Sequence, residues 1–162
     1  MAIRSLRLEG DPILRKRSRE VTEINDRILE LLRDMAQTMV KENGIGLAAP
    51  QVGVLRRVVT IDIGFGLLNI INPEIIESEG EQIDVEGCLS IPGFNATVAR
   101  PLKVKVKFLN EKGEKVVMDC EGLLARAFCH EIDHLDGILF RDKYIEEYVY
   151  KDDKDDGNEA RI

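Results

Sequence analysis

Hydrophobic residues recur with a helical period near the start of the chain. Between Asn25 and Lys41 the apolar side chains fall every three or four residues, at Ile28, Leu31, Leu32, Met35 and Met39. This spacing predicts an amphipathic helix whose apolar face packs on the core. Asn25 is placed to cap the start of the helix, and Asn43-Gly44 to end it.

The middle of the chain has the pattern of β-strands. β-Branched residues predominate over positions 57–63, at Val58, Val59, Thr60 and Ile61, and positions 67–76 are similar until Asn72-Pro73 interrupts them. Lysine alternates with apolar residues over 103–108, which predicts a strand with one buried face. The turn-forming residues that follow, and a second strand over 114–119, indicate a hairpin.

A helical period returns after Gly122. One stripe of the predicted helix holds Leu123, Ala127, His130 and His134. The two histidines therefore share the face that points into the protein, and Gly137 ends the helix. Together the elements predict an α+β fold of mostly antiparallel strands, with this helix packed on the sheet.

Length and composition favour one domain over residues 1–150. The chain has 162 residues, 44% of them hydrophobic and 33% charged, as is typical of globular proteins. From position 151 onward the apolar periodicity is lost, which predicts an acidic, disordered tail over 151–162.

Charge and cysteine content exclude several classes of function. A net charge of −7 argues against direct nucleic-acid binding. No apolar run is long enough to cross a bilayer, and the first residues lack a signal peptide, so we expect a cytoplasmic protein without a membrane partner. Three cysteines, an odd number, argue against a disulfide framework.

The only two histidines of the chain lie within five residues, His130-Glu131-Ile132-Asp133-His134. Imidazoles four residues apart on a helix project from the same face, where they can bind one metal ion. Glu131, between them, is placed to carry protons to or from a water at that ion. The alternative is an amphipathic helix whose histidines have no function.

A catalytic metal site usually has a third protein ligand, and no histidine remains to supply it. We rank the Cys88 thiol first, because it follows a glycine at the end of a strand pattern, then Cys120 and Cys129. Downstream carboxylates are the other candidates, but they lie mainly in the predicted tail, at Asp152, Asp153, Asp155 and Asp156.

A glycine-rich segment, Gly44-Ile45-Gly46-Leu47-Ala48-Ala49-Pro50-Gln51, follows the first predicted helix. Its small residues let a substrate approach the backbone closely. The Gln51 amide is an uncharged donor that suits a developing oxyanion. A tight connection between a helix and a strand explains the same glycines equally well.

In this order and spacing, GIGLAAPQ, EGCLS and HEIDHLDG resemble the three signature motifs of the peptide deformylases. The similarity extends over most of residues 3–145 and includes Gly10-Asp11-Pro12-Ile13-Leu14-Arg15, Ile71-Asn72-Pro73-Glu74 and Val98-Ala99-Arg100-Pro101. Without a long insertion between the motifs, the chain resembles the compact bacterial type.

The resemblance implies that the protein hydrolyses the formyl group from the formyl-Met of nascent proteins and releases formate. Cys88, His130 and His134 would be the metal ligands and Glu131 the general acid/base. Gln51 and the Leu89 N–H would stabilise the oxyanion. Gly46 would pair with the substrate backbone, and the methionine pocket would be lined by Ile45, Leu123 and Ala127.

The resemblance also implies one divalent metal, Fe(II), with nickel or cobalt able to replace it. A site of one thiolate and two imidazoles would by itself favour zinc. The family usually has glutamine where this chain has Cys129, which we expect to tune the site without abolishing it.

Some family members are thought to dock transiently on the ribosome through a basic C-terminal helix. Residues 151–162 hold three basic and five acidic side chains, which argues against that mode here. Two rival functions remain: an HExxH peptidase that uses a downstream carboxylate, and a protein that binds formylated chains without turnover.

Overall fold

The computed structural model describes residues 2–150 and 161–162. Within them the helices are α1 (Asp26–Lys41) and α2 (Leu123–Leu135). The strands are β1 (Gly46–Ala48), β2 (Val58–Ile61), β3 (Leu68–Glu79), β4 (Gln82–Cys88), β5 (Ile91–Arg100), β6 (Lys103–Leu109), β7 (Lys115–Glu121) and β8 (Tyr144–Glu147). Short 3-10 helices lie at Pro12–Arg15, Ala49–Val52 and Phe140–Asp142.

The strands form two antiparallel sheets. One has five strands in the order β1-β2-β3-β6-β7, and the other has three in the order β4-β5-β8. Helix α2 packs on the larger sheet, where Ala125 and Phe128 share a buried cluster with Val59, Ile61 and Val106. The predicted α+β fold, with the helix of the two histidines packed on antiparallel strands, is confirmed.

Helix α1 follows its sequence pattern closely. Asn25 is its N-cap, and its side-chain oxygen accepts a 3.1 Å hydrogen bond from the Ile28 N–H. The apolar face forms a second buried cluster with β1 and β2, which includes Leu47 and Val58. Asp34 on this helix is buried too, and it accepts a 2.9 Å bond from Arg4 Nε.

The hairpin of β6 and β7 also forms as predicted. Val104, Val106 and Phe108 are buried, as the alternation with lysine requires. The two strands pair in continuous antiparallel register from Lys103 opposite Glu121 to Leu109 opposite Lys115.

The predicted interruption at Asn72-Pro73 is wrong, because β3 runs through it. Asn72 has a φ of 53°, and the register of β3 with β6 shifts between Ile71 and Glu74. The Asn72 side chain accepts a bond from the Val21 N–H (2.9 Å) and donates one to the Val21 carbonyl (2.8 Å). The strand therefore absorbs this dipeptide as a bulge.

Residues 151–160 of the predicted disordered tail lie outside the described residues. Arg161 and Ile162 are described, and Ile162 is fully buried. This differs from the disordered tail expected over 151–162, because one isolated apolar residue can be buried without a surrounding hydrophobic pattern. Among the described helices, none is both long and apolar enough to span a membrane.

Candidate active site

Helix α2 carries two histidines and a glutamate to the interior. His130 and His134 are each 1% exposed, and their ring centroids lie 4.9 Å apart. Glu131 is fully buried between them. The pairing at positions i and i+4 therefore places both imidazoles on one face, as the sequence predicted.

Cys88 joins these histidines at the end of β4. Its Sγ lies 3.4 Å from His134 Nε2, and the ligand atoms of Cys88, His130 and His134 all lie within 4.8 Å of one another. Cys120 and Cys129 belong instead to the hydrophobic cluster under α2. Among the described residues, the structure thus brings the first-ranked cysteine to the histidines and leaves the other two apart.

The donor atoms of this group suit a divalent transition metal. Burial and the neighbouring His130 hold the pKa of His134 well below its usual value, so its imidazole is neutral and has a free lone pair. His130 Nε2 is buried with no hydrogen-bond partner among the described residues. One sulfur and two imidazole nitrogens at this spacing match a tetrahedral site that keeps one position open.

The Cys88 thiol would need the cation in order to ionise. Burial raises its pKa, and the charges of Glu131 and Glu86 raise it further, against weaker stabilisation by backbone N–H groups. A bound cation reverses this balance, because a coordinating thiol loses its proton. The buried thiol, costly to ionise alone, is therefore consistent with a ligand role.

Glu86 fixes the orientation of His130. Its Oε1 accepts a 2.8 Å bond from His130 Nδ1, and its carboxylate also accepts bonds from Arg100 (2.8 and 2.9 Å) and Arg126. Burial opposes ionisation, but hydrogen bonds from Arg100 and His130 outweigh it and hold the pKa of Glu86 well below its usual range. His130 Nε2 is thereby turned toward Cys88 and His134.

This ion network was missed at the sequence level. Glu86 belongs to the EGCLS motif, yet only its cysteine and leucine were assigned roles. Arg100 and Arg126 come from β5 and α2, and Arg100 also donates a 2.7 Å bond to Asp133. A charged residue two positions before a candidate ligand was the one available signal, because the arginines are distant in sequence.

Glu131 has a different environment. Neither of its carboxylate oxygens has a hydrogen-bond partner among the described residues. Burial raises its pKa well above the usual value, and the charge of Glu86 adds to this effect. Such a carboxyl group holds a proton more readily than an exposed glutamate does, which is the property expected of a general acid/base.

Gly46 makes room for that carboxylate. A Cβ atom built at position 46 would lie 2.3 Å from Glu131 Oε2, closer than real Cβ atoms approach. Any side chain at this point of β1 would therefore force the Glu131 carboxylate to shift. This steric role comes in addition to the substrate-pairing role that the resemblance implies.

Gln51 is held against the cysteine by its own hydrogen bonds. Its Oε1 accepts a 2.9 Å bond from the Ala48 N–H, and its Nε2 donates to Ser90 Oγ at 3.0 Å. Nε2 also lies 3.6 Å from Cys88 Sγ. Leu89 lies in the turn between β4 and β5, directly after the cysteine, so both candidate oxyanion donors adjoin the ligand group.

The residues predicted to line the methionine pocket differ in how deeply they are buried. Ala127 is fully buried, and Ile45 packs against the same hydrophobic cluster. Leu123, at the first position of α2, is 41% exposed, which differs from the buried stripe expected of it. Cys129, the departure from the family pattern, is buried, and burial raises the pKa of its thiol to about 11.

Comparisons with known proteins agree with this geometry. A family model described as polypeptide deformylase matches residues 3–148. The chain is 63% identical to a peptide deformylase of Acetivibrio thermocellus over 145 residues, 90% of this chain and 85% of that one. It is 61% identical to that of Thermoanaerobacter pseudethanolicus over 90% of this chain and 91% of the relative.

Solved structures of similar proteins show the same fold. The crystal structure of a peptide deformylase from Thermotoga maritima superposes with a TM-score of 0.87 at 41% identity, covering 88% of this chain and 98% of that one. One from Synechococcus elongatus, in complex with actinonin, gives a TM-score of 0.85 at 41% identity, over 88% and 79% of the two chains.

Proposed function

Because the chain belongs to the peptide deformylase family, whose members remove N-terminal formyl groups, we propose that it acts on the formyl-Met termini of nascent proteins. The observation that carries this proposal is the buried group of Cys88, His130 and His134 with Glu131 beside it. This chain has the family's residue at each position to which the motifs assign a chemical role. It is also 63% identical to a relative named peptide deformylase.

We propose Cys88, His130 and His134 as ligands of one Fe(II) ion. The resemblance supports iron, while the ligand chemistry also suits zinc, nickel or cobalt. A divalent ion held by these residues supplies Lewis acidity, which makes a water molecule a nucleophile near neutral pH. Elemental analysis of protein purified without oxygen, with activity per ion for each metal, separates these candidates.

Glu131 is proposed to move the proton. Water adds to the formyl carbon, the C–N bond breaks, and the Glu131 carboxyl passes the proton from the water to the departing nitrogen. Its raised pKa and unpartnered oxygens support this role, because both leave the group free to gain and lose a proton.

Gln51 and Leu89 are proposed to hold the oxyanion. The Gln51 amide is fixed by Ala48 and Ser90, so its Nε2 donor needs no reorganisation when negative charge develops. The Leu89 N–H, next to Cys88 in the chain, would be the second donor. Products of the reaction are formate and a free amino terminus.

The substrate is proposed to add as a strand beside β1. This strand is at the edge of its sheet, so an extended peptide can bond to the backbone near Gly46, with little dependence on substrate sequence. Ile45, Ala127 and Leu123 are the proposed walls of the methionine pocket. A small formyl carbon fits beside Glu131 more readily than a larger acyl group.

We further propose a single catalytic domain over residues 1–150 and a cytoplasmic location, where nascent chains are made. A transient ribosome contact remains part of this proposal, although the acidic composition of 151–162 does not favour docking through that segment.

Formate release tests the function directly. Protein loaded with Fe(II) under anaerobic conditions should release formate from formyl-Met-Ala-Ser. The matched control, acetyl-Met-Ala-Ser, should release no acetate. Absence of formate from protein with a measured full metal content would contradict the proposal and favour binding without turnover.

A further inference from the structure

Arg161 and Ile162 lie between the edges of the two sheets. The Ile45 N–H, just before β1, donates a 2.8 Å bond to the Arg161 carbonyl. The Ile162 N–H donates a 3.1 Å bond to the carbonyl of Gly87 in β4, and Arg161 forms a parallel bridge with Gly87. β1 and β4 are both edge strands, so this dipeptide joins the sheets as an added strand would.

The Ile162 side chain is fully buried in the cluster under α2. Ala127 belongs to that cluster and Ile45 packs against it, and both are proposed walls of the methionine pocket. Isoleucine is an apolar side chain of a size similar to methionine. Ile162 therefore belongs to the same buried cluster as two of the residues proposed to line the methionine pocket.

Gly44, two residues before β1, leaves room for Arg161 to approach closely. A Cβ at Gly44 would lie 3.3 Å from the Arg161 carbonyl oxygen, tighter than most real contacts. Tyr150 and Arg161 both line one cleft beside Cys88, so the residues just before and just after 151–160 lie at the same site. Eleven peptide links reach up to about 36 Å, ample for a return within the same chain.

We propose that Arg161–Ile162 occupies the substrate cleft of its own chain, as a bound peptide would, and competes with formylated peptides. This inference rests on the proposed position of the substrate beside β1. Substrate binding then requires displacement of the segment, so the apparent affinity for peptide is lower than the intrinsic affinity of the open cleft.

The first test replaces Ile162 with aspartate in the full chain. A carboxylate is excluded from an apolar pocket, so Ile162→Asp should open the cleft. We expect the KM for formyl-Met-Ala-Ser to fall about 3- to 10-fold while kcat is unchanged. Val149→Asp is the matched control, because Val149 is 69% exposed and the same change there should leave KM as it was.

A second readout does not depend on turnover. The Ile45 amide, which bonds to Arg161, should exchange its hydrogen faster in Ile162→Asp than in the native chain or in Val149→Asp. The peptide Asn-Glu-Ala-Arg-Ile, corresponding to 158–162, should inhibit Ile162→Asp competitively. Hydrogen exchange at Ile45 separates this proposal from the proposed deformylase function, because a chain without deformylase activity would still show the exchange difference.

Equal exchange at Ile45 in the native chain and Ile162→Asp would overturn the proposal, as would an unchanged KM in an active enzyme. A native KM that rises with enzyme concentration would place Ile162 in the cleft of a second copy and would overturn the intramolecular contact.

Discussion

Two glutamates lie fully buried in the same site, yet their surroundings give them opposite properties. Glu86 lies in an ion network with Arg100, Arg126 and His130, and its pKa is well below the usual range. Glu131 has no hydrogen-bond partner among the described residues, and burial raises its pKa. Equal burial therefore favours an ionised carboxylate in one region and a protonated carboxyl group in the other.

The difference follows from what each glutamate faces. Two guanidinium groups compensate the desolvation of Glu86, so its charge is retained and serves to position His130. Around Glu131, Gly46 has no side chain to offer, and neither carboxylate oxygen has a hydrogen-bond partner among the described residues. The arginines donate their hydrogen bonds to Glu86 and not to Glu131, which supports the proposed division of orientation and proton transfer between the two carboxylates.

Glu131→Gln should show the largest effect. The amide keeps the size of the side chain but carries no transferable proton, so kcat for formate release should fall about 10³-fold. Stopped assays on fully metal-loaded protein would measure this. Glu79→Gln, on the exposed end of β3, is the control that should retain activity. Near-native turnover of Glu131→Gln would contradict its assigned role.

Glu86→Gln should act mainly on stability. Removal of the anion leaves Arg100 and Arg126 buried without their shared partner, at a cost of about 3–5 kcal/mol in the free energy of unfolding. Urea denaturation of the metal-free protein would show it. A loss below 1 kcal/mol, on the order of a surface pair, would mean that the network is not structurally important.

Gly46→Ala tests the close approach between Gly46 and the Glu131 carboxylate. The new Cβ would overlap the Glu131 carboxylate, so we expect about 1–3 kcal/mol of destabilisation and a lower kcat. In a Glu131→Ala background the same substitution should cost less, because the overlapping atoms are gone. An equal loss of stability in the two backgrounds would mean that the new Cβ does not overlap the Glu131 carboxylate.

A third buried carboxylate, Asp34, extends the comparison outside the site. Burial opposes its ionisation, but the Ala2 N–H and Arg4 outweigh burial and lower its pKa below 3.8. Its contribution should therefore be present above pH 3.8 and lost as the pH falls through the lowered value. Asp34→Asn should cost about 1 kcal/mol near neutral pH and less in acid, as measured by thermal unfolding. A cost independent of pH would contradict the lowered pKa.

Sequence patterns predicted the elements whose residues lie close together in the chain. The period of α1 and α2 and the alternation in β6 are local properties, and the structure confirms these elements. Strand β8 has four exposed residues and pairs with β5 across the chain, so no local pattern marked it. Asn72-Pro73 looked like a break because the bonds from Asn72 to Val21 are not visible in the sequence.

The candidate site divides in the same way. The two histidines were visible because one helix spaces them, and Cys88 was ranked first from its glycine and strand context. Its contact with His134 depends on how β4 meets α2. Arg100 and Arg126 were missed because their partner, Glu86, is 14 and 40 residues away. Ile162 was missed because a single apolar residue forms no pattern.

The most direct test measures metal content and turnover together in Glu86→Gln and Glu131→Gln. Each variant is titrated with a chelator, and formate release is divided by the metal ions still bound. We expect Glu86→Gln to lose metal at about 10- to 100-fold lower chelator concentration while its turnover per bound ion stays close to native. Glu131→Gln should retain metal and lose turnover. If Glu131→Gln lost its metal, or Glu86→Gln kept its metal and lost turnover, the division of roles between the two glutamates would be wrong.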